Sequence, residues 1–138
     1  MDKTWESSVE IEVPFHDVDS MHIVWHGHYS KYFEIARCKL LESFGYCYQS
    51  MADSGYAWPV VDMRLKYVRP AKFGQTIAVS AVLKEREYRL KIQYEITDAA
   101  SGEKLTKGYT VQVAVDRANG EMCYESPAVL LDKLGVSV

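Results

Sequence analysis

An α+β domain, an antiparallel sheet wrapped on one long helix, is predicted by three features of the chain. A single long stretch repeats its apolar residues every three or four positions. Everything after it alternates with a period of two. The strand-like runs are separated only by short turns, as in antiparallel hairpins.

The first strand is Val9, Ile11, Val13 and Phe15, alternating with Glu10, Glu12 and Pro14; the proline marks an edge or an exit. Over residues 28–44 the apolar positions Tyr29, Tyr32, Phe33, Ala36, Leu40, Leu41 and Phe44 fall on one helical face. Lys31, Glu34, Lys39 and Glu42 lie outside that stripe, and Gly45 is a natural stop. Such a helix is about 25 Å long. Residues 46–54 predict one or two further helical turns before Gly55.

The period then changes. Val61, Met63, Leu65 and Tyr67 form a strand ending at Arg69-Pro70, and Ile77, Val79, Ala81 and Leu83 form the next. Leu90, Ile92, Tyr94 and Ile96 alternate with Lys91, Gln93, Glu95 and Thr97. Residues 98–102 are a turn. Across 105–115, Leu105, Lys107, Tyr109, Val111, Val113 and Val115 share one face, with Gly108, Thr110 and Gln112 on the other. Turn residues at 116–120 lead to a short 122–124 segment. Ser126 reads as an N-cap with Pro127 at the first position of a brief helix over 128–134. One helix cannot cover a five-stranded sheet about 25 Å wide at ~4.8 Å per strand. Val60, Val68, Ala78, Val82 and Ala114 add apolar side chains on the outer face, so a homodimer is expected.

At 138 residues the chain is one domain, 1–138, with an ordinary globular share of apolar and charged residues. A net charge of −3 gives no electrostatic case for nucleic acid. No run approaches the ~18 apolar residues of a membrane span, and residues 1–8 lack the apolar core of a signal segment. Cys38, Cys47 and Cys123 are odd in number and scattered, which argues for reduced thiols and a cytoplasmic protein.

Chemistry concentrates at 16–29, where all four histidines stand with Asp17 and Asp19 directly before the long helix. Three readings compete. A carboxylate facing the free N–H groups of a helix N-terminus is what acyl transfer needs, with Gly27 permitting close approach. Alternatively His22-x-x-x-His26-x-His28 with Asp17 or Asp19 could hold zinc or iron. The third reading is a polar turn without chemistry.

The stretch Phe15-x-Asp17-x-Asp19-x-x-x-Ile23-Val24-Trp25-His26-x-x-Tyr29-x-x-Tyr32-Phe33-Glu34-x-Ala36-Arg37 resembles the signature of the 4-hydroxybenzoyl-CoA thioesterase-like branch of the hotdog fold. The resemblance continues through Trp58-Pro59-Val60-Val61 and Tyr67-x-x-Pro70-Ala71 to Ala114-Val115-Asp116. It implies a five-stranded antiparallel sheet around a central helix, assembled as a homodimer or homotetramer. It also implies hydrolysis of an acyl thioester of coenzyme A or acyl carrier protein, with no cofactor and no metal. Asp19 corresponds to the catalytic carboxylate, as nucleophile or as base on water, and Asp17 to a supporting acceptor. The His26 backbone N–H would polarise the thioester carbonyl. Trp25, Tyr29 and Trp58 are candidate acyl-binding aromatics. Arg86 and Arg89, in the charged hairpin over 84–91, are candidates for the nucleotide phosphates.

One position departs from the pattern: relatives carry glycine where this chain has His22. A side chain there predicts a narrower pocket or an added proton carrier, and no positive-φ backbone. Two rivals remain: a metal-dependent hydrolase using His22, His26 and His28, and a non-catalytic acyl-binding protein of the same fold.

Overall fold

The computed structural model describes residues 5–135; residues 1–4, half of the stretch read for a signal segment, and 136–138 lie outside them. Strand β1 (Glu6–Glu12) leads through a 3-10 turn at Phe15–Asp17 and a second at His26–His28 into helix α1 (Tyr29–Ser43). Then follow α2 (Tyr48–Asp53), the short β2 (Tyr56–Ala57), and β3 (Val60–Tyr67), β4 (Thr76–Glu85), β5 (Leu90–Asp98) and β6 (Lys104–Gln112). A short β7 (Val115–Asp116) and α3 (Ala128–Leu134) complete the chain.

The main sheet has five strands in the order β1-β4-β5-β6-β3, and a separate ribbon pairs β2 with β7. Every pairing in the five-stranded sheet is antiparallel. The expected strand over 105–115 therefore divides, its last part leaving the sheet to join β2. The expected cap of α3 moves by one residue: Pro127 is the N-cap, with no side-chain cap bond. Proline has no N–H to satisfy at a helix start, so either place suits it.

The predicted apolar stripe of α1 is its buried face. Tyr29, Tyr32, Phe33, Ala36, Leu40 and Leu41 are all almost fully buried, packed against Ile77, Val79, Ala81, Ile92, Tyr94 and Ile96 from the sheet. Phe33 stacks on Tyr94 with ring centroids 4.4 Å apart and planes 8° from parallel. Two features of β6 differ from simple patterning. Thr106, Thr110 and Gln112 are the residues buried beside the helix, and a side chain at Gly108 would meet the Phe33 ring. Two of their polar groups find partners there: Tyr94 and Thr110 hydroxyls are 2.7 Å apart, and Gln112 Nε2 donates to the Trp58 carbonyl at 2.8 Å, whereas the Thr106 hydroxyl and Gln112 Oε1 make no hydrogen bond among the described residues. Small and hydrogen-bonding residues thus leave the space that the large rings of Phe33 and Tyr94 need. Of the residues expected to face outward, Val60 and Val68 are exposed, whereas Ala114 is buried.

The order of strands explains where the site lies. Since β3 pairs with β6 and not with β4, residues 68–75 must travel from one edge of the sheet to the interior. They cross the N-terminal end of α1 on the way. The Ala71 carbonyl accepts from Val24 N–H at 2.8 Å, and Ala71 N–H donates to the Tyr29 hydroxyl at 3.1 Å.

Candidate active site

Residues 17–25 form a small hairpin closed by an antiparallel bridge between Val18 and Val24. Asp19 N–H donates to the Ile23 carbonyl, Trp25 N–H to the Asp17 carbonyl, and His22 N–H to the Asp19 carbonyl, each at 2.9–3.0 Å. The Asp19 carboxylate also accepts from Met21 N–H at 2.8 Å. An aspartate that bonds the backbone two residues on is a common turn former, so local chemistry fixes this bend. Ile23 bridges Lys72, and Phe73 N–H donates to the His22 carbonyl, tying the hairpin to the 68–75 crossing.

His22 is the one non-glycine residue with positive φ among those described, at 63°. This corrects the expectation that a side chain there excludes that conformation. The turn requires the left-handed residue after it, and histidine is among the side chains that tolerate the region best. The strain costs about 1 kcal/mol. His22→Gly is therefore expected to gain roughly 0.5 kcal/mol, the relief being partly offset by a more flexible unfolded chain. His22→Val, β-branched, is expected to lose about 1–2 kcal/mol. Denaturation midpoints of the two variants check this; equal losses in both would show that the imidazole and not the backbone matters.

Asp17 and Asp19 have opposite environments. Asp17 is buried and is bonded by the Lys31 ammonium and, at 2.7 Å, by the Tyr32 hydroxyl. Burial alone would raise its pKa, but the bonds from Lys31 and Tyr32 and the Lys31 charge outweigh it and hold Asp17 below the usual carboxylate range. Its contribution to stability is therefore present above the unfolded-state pKa and is lost as pH falls through the lowered folded value. Burial and the bond to Asp17 push the Tyr32 hydroxyl up, so it stays a donor. Asp19, in contrast, is exposed. Of the two carboxylates, only Asp19 is free to meet a ligand.

His26 opens the second 3-10 turn, and no side chain caps either that turn or α1. Among the described residues, no backbone carbonyl accepts from the N–H of His26 or Gly27. Unpaired donors at a helix start form a ready anion site. The His26 carbonyl accepts from the Tyr67 hydroxyl at 2.8 Å, which fixes the peptide from the end of β3. Trp25 is half exposed and lies over Gly27: a Cβ on that glycine would fall 2.1 Å from the indole. The close approach that Gly27 permits is thus by Trp25. The indole also touches the rings of His26 and His28, at 4.9 and 5.3 Å between centroids.

Other sequence candidates are placed elsewhere. Tyr29 is buried, its hydroxyl held by Ala71 N–H and its ring against Tyr67. Trp58 donates from Nε1 to the Tyr46 hydroxyl at 3.2 Å and lines a cavity of about 210 Å³ with Tyr48, Met51, Tyr56 and Arg117. It sits by the start of β3, the sheet end opposite Tyr67 and His26. The 84–91 hairpin is at that same far end, where Leu90 and Val60 both pair with Gln112. There Arg89 makes two bonds to Glu85, and Arg86 lines a surface cavity of about 290 Å³. His22, His26 and His28 do not converge: no cluster of three metal-ligating side chains exists among the described residues. Lys31 and Tyr67 are supports that sequence reasoning did not single out, because only the fold brings them to Asp17 and His26.

The long helix wrapped by a five-stranded antiparallel sheet is the hotdog fold, and the relatives of the chain make it a thioester hydrolase. The chain belongs to the Thioesterase-like superfamily, whose family model matches residues 13–134. It is 32% identical over 127 residues to a Synechocystis protein named as a putative esterase, covering 91% of this chain and 76% of that one. It is 31% identical over 112 residues to a Bacillus subtilis protein named as a putative acyl-CoA thioesterase, covering 80% of each. Among solved structures, a DHNA-CoA thioesterase from Staphylococcus aureus superimposes with a TM-score of 0.78 at 27% identity, over 86% of this chain and 80% of that one. No helix of the described residues is long and apolar enough to cross a membrane.

Proposed function

We propose that the protein, acting as a single domain in the cytoplasm, hydrolyses an acyl thioester of coenzyme A or acyl carrier protein. The observation that carries this is an exposed Asp19 carboxylate in the hairpin that leads directly into the turn before α1, where the N–H groups of His26 and Gly27 are accepted by no backbone carbonyl among the described residues. A thioester carbonyl seated on those donors has its developing oxyanion stabilised where charge appears. Asp19 either attacks that carbon, giving a mixed anhydride that water opens, or takes a proton from an attacking water. Both routes consume one water and release a carboxylic acid and a thiol. Trp25, half exposed with its indole against the His26 ring, is the aromatic side chain offered to the acyl group in this reading. The two relatives with coenzyme A thioesters in their names support the choice of carrier. Thiol release from a panel of aryl and aliphatic acyl-CoA and acyl-carrier-protein thioesters tests the reading. Turnover of at least one member is the expected result; calorimetric binding without thiol from any member would replace the enzyme with a binder.

The site is also proposed to need a second copy of the chain. β3 is an edge strand with Val60, Val61, Met63 and Tyr67 all more than 40% exposed, an arrangement that invites pairing. Two-fold antiparallel pairing of β3 with its mate reverses the ends of an eight-residue strand, about 26 Å long. The partner's Trp58, Arg86 and Arg89 would then stand beside Asp19 of the first protomer, which they cannot approach within one chain. Sedimentation is expected to give at least the mass of two chains, lowered toward one in Met63→Lys. A wild-type monomer would remove this part of the proposal.

A further inference from the structure

The face of the sheet turned away from α1 holds a concentration of positive charge that thioester hydrolysis does not use. Antiparallel register sets Arg64 beside Tyr109, and Tyr109 beside Gln93. One step along, Lys66 pairs directly with Lys107. Lys91 completes the group, its ammonium 4.6 Å from the centre of the Tyr109 ring. Together these side chains line a cavity of about 320 Å³ whose floor is the backbone at Gly108.

Three features set this cluster apart from an ordinary solvated face. Like charges opposite one another in a sheet are destabilising, yet Lys66 and Lys107 are so placed, with Arg64 next in line. Acidic neighbours exist but do not neutralise it. Asp62 is engaged by the Tyr109 hydroxyl at 3.3 Å, Glu85 opposite Lys91 is held by Arg89, Glu95 flanks Lys107 on β5, and none of the three lines the cavity. Among the described residues, none of the four cations forms an ion pair with a carboxylate. Finally, the whole chain carries −3, so four cations that form no ion pair among the described residues are a local concentration against the average.

We infer that this cavity binds an organic diphosphate, with Arg64, Lys66 and Lys107 meeting the phosphoryl oxygens. Arg64 supplies a planar fork suited to two oxygens of one phosphate, and the lysines act as point charges on the other. Gln93 and the Tyr109 edge remain for a sugar or base. A volume near the lower end of the roughly 300–1,000 Å³ typical of ligand pockets fits a nucleoside diphosphate better than a protein segment. The inference does not depend on Asp19 or on the hydrolytic reading, because the cavity is on the opposite side of the sheet from α1. A diphosphate of this kind could be a free nucleotide or the nucleotide end of coenzyme A.

The test is calorimetric titration of the full chain, at fixed ionic strength, with pyrophosphate, ADP, coenzyme A and polyglutamate. The comparison protein is the double variant Lys66→Gln/Lys107→Gln. Pyrophosphate and ADP are expected to bind wild type and to bind the variant about tenfold more weakly or worse. The unliganded variant is expected to melt no lower than wild type, since a repulsive pair is gone. Loss of coenzyme A affinity in parallel with ADP assigns the site to the carrier's nucleotide, and retention of coenzyme A affinity assigns it to a free nucleotide. No pyrophosphate binding to wild type, or equal binding by both proteins, overturns the inference. Lysine-dependent capture of polyglutamate without pyrophosphate binding overturns it in favour of an acidic protein surface.

Discussion

Asp19→Asn is expected to leave the fold intact and to cut thiol release by about a thousandfold, the scale of losing a positioned acid–base or nucleophilic group. The separation of the two effects follows from the geometry. The structural duty of the side chain is one accepted bond from Met21 N–H at 2.8 Å. An asparagine carbonyl oxygen can still accept that bond, more weakly than a carboxylate but in the same geometry, so the 17–25 hairpin keeps its shape and the melting temperature moves little. What asparagine cannot do is attack a carbonyl carbon or take a proton from water at neutral pH. The N–H donors of His26 and Gly27 are unaffected, so substrate still binds and KM changes far less than kcat. That split distinguishes a chemical role from a positioning one: a merely structural Asp19 would lower stability and raise KM together. Turnover near wild type, in a variant of unchanged melting temperature, would show that another group performs the hydrolysis.

The legibility of this chain in its sequence depended on which distance carried the information. Elements held by local periodicity were readable: α1 falls within the predicted 28–44, and α3 spans the predicted 128–134. The polar junction before α1 was readable too, because the N-terminus of a helix follows from the start of its apolar stripe. The ranking of Asp19 over Asp17 came from resemblance, and the two side chains differ in exposure. Asp17 is buried under Lys31 and Tyr32, fourteen and fifteen residues ahead, while Asp19 faces outward. His22 was misread because a side chain was taken to exclude positive φ, whereas the Asp19 turn imposes that φ on whatever residue follows it. Nothing local could reveal that β3 pairs with β6, and so nothing local could place Tyr67 on His26 or Trp58 at the opposite end of the sheet. Strand order is a property of the whole chain.

The same long-range pairing leaves no room for a side chain at Gly108, and Gly108→Ala is expected to destabilise the protein by about 3 kcal/mol, at the upper end of overpacking costs. A Cβ built there would lie 2.0 Å from the Arg64 carbonyl oxygen on β3 and 3.0 Å from Phe33 Cε2 on α1. The second contact could be relieved by a small shift of the ring, at the expense of its stacking on Tyr94. The first cannot, because the obstacle is backbone. Either the β3–β6 ladder opens around Leu65 and Gly108, or β6 tilts away from the helix, and both uncover apolar surface. Alanine does restrict the unfolded chain, but by only about 0.4–1 kcal/mol in its favour, which does not compensate. Thermal unfolding should fall by about 10 °C, given a few degrees per kcal/mol for a chain of this size. The distortion would reach the site through Tyr67, at the end of the same strand, whose hydroxyl holds the His26 peptide. A second variant isolates the cause. Gly108→Ala combined with Phe33→Leu removes the ring contact and leaves the backbone one, so it should recover little stability over Gly108→Ala alone. Full recovery would place the obstruction at the ring, and a loss under 1 kcal/mol in the single variant would mean that the two strands are not held so closely.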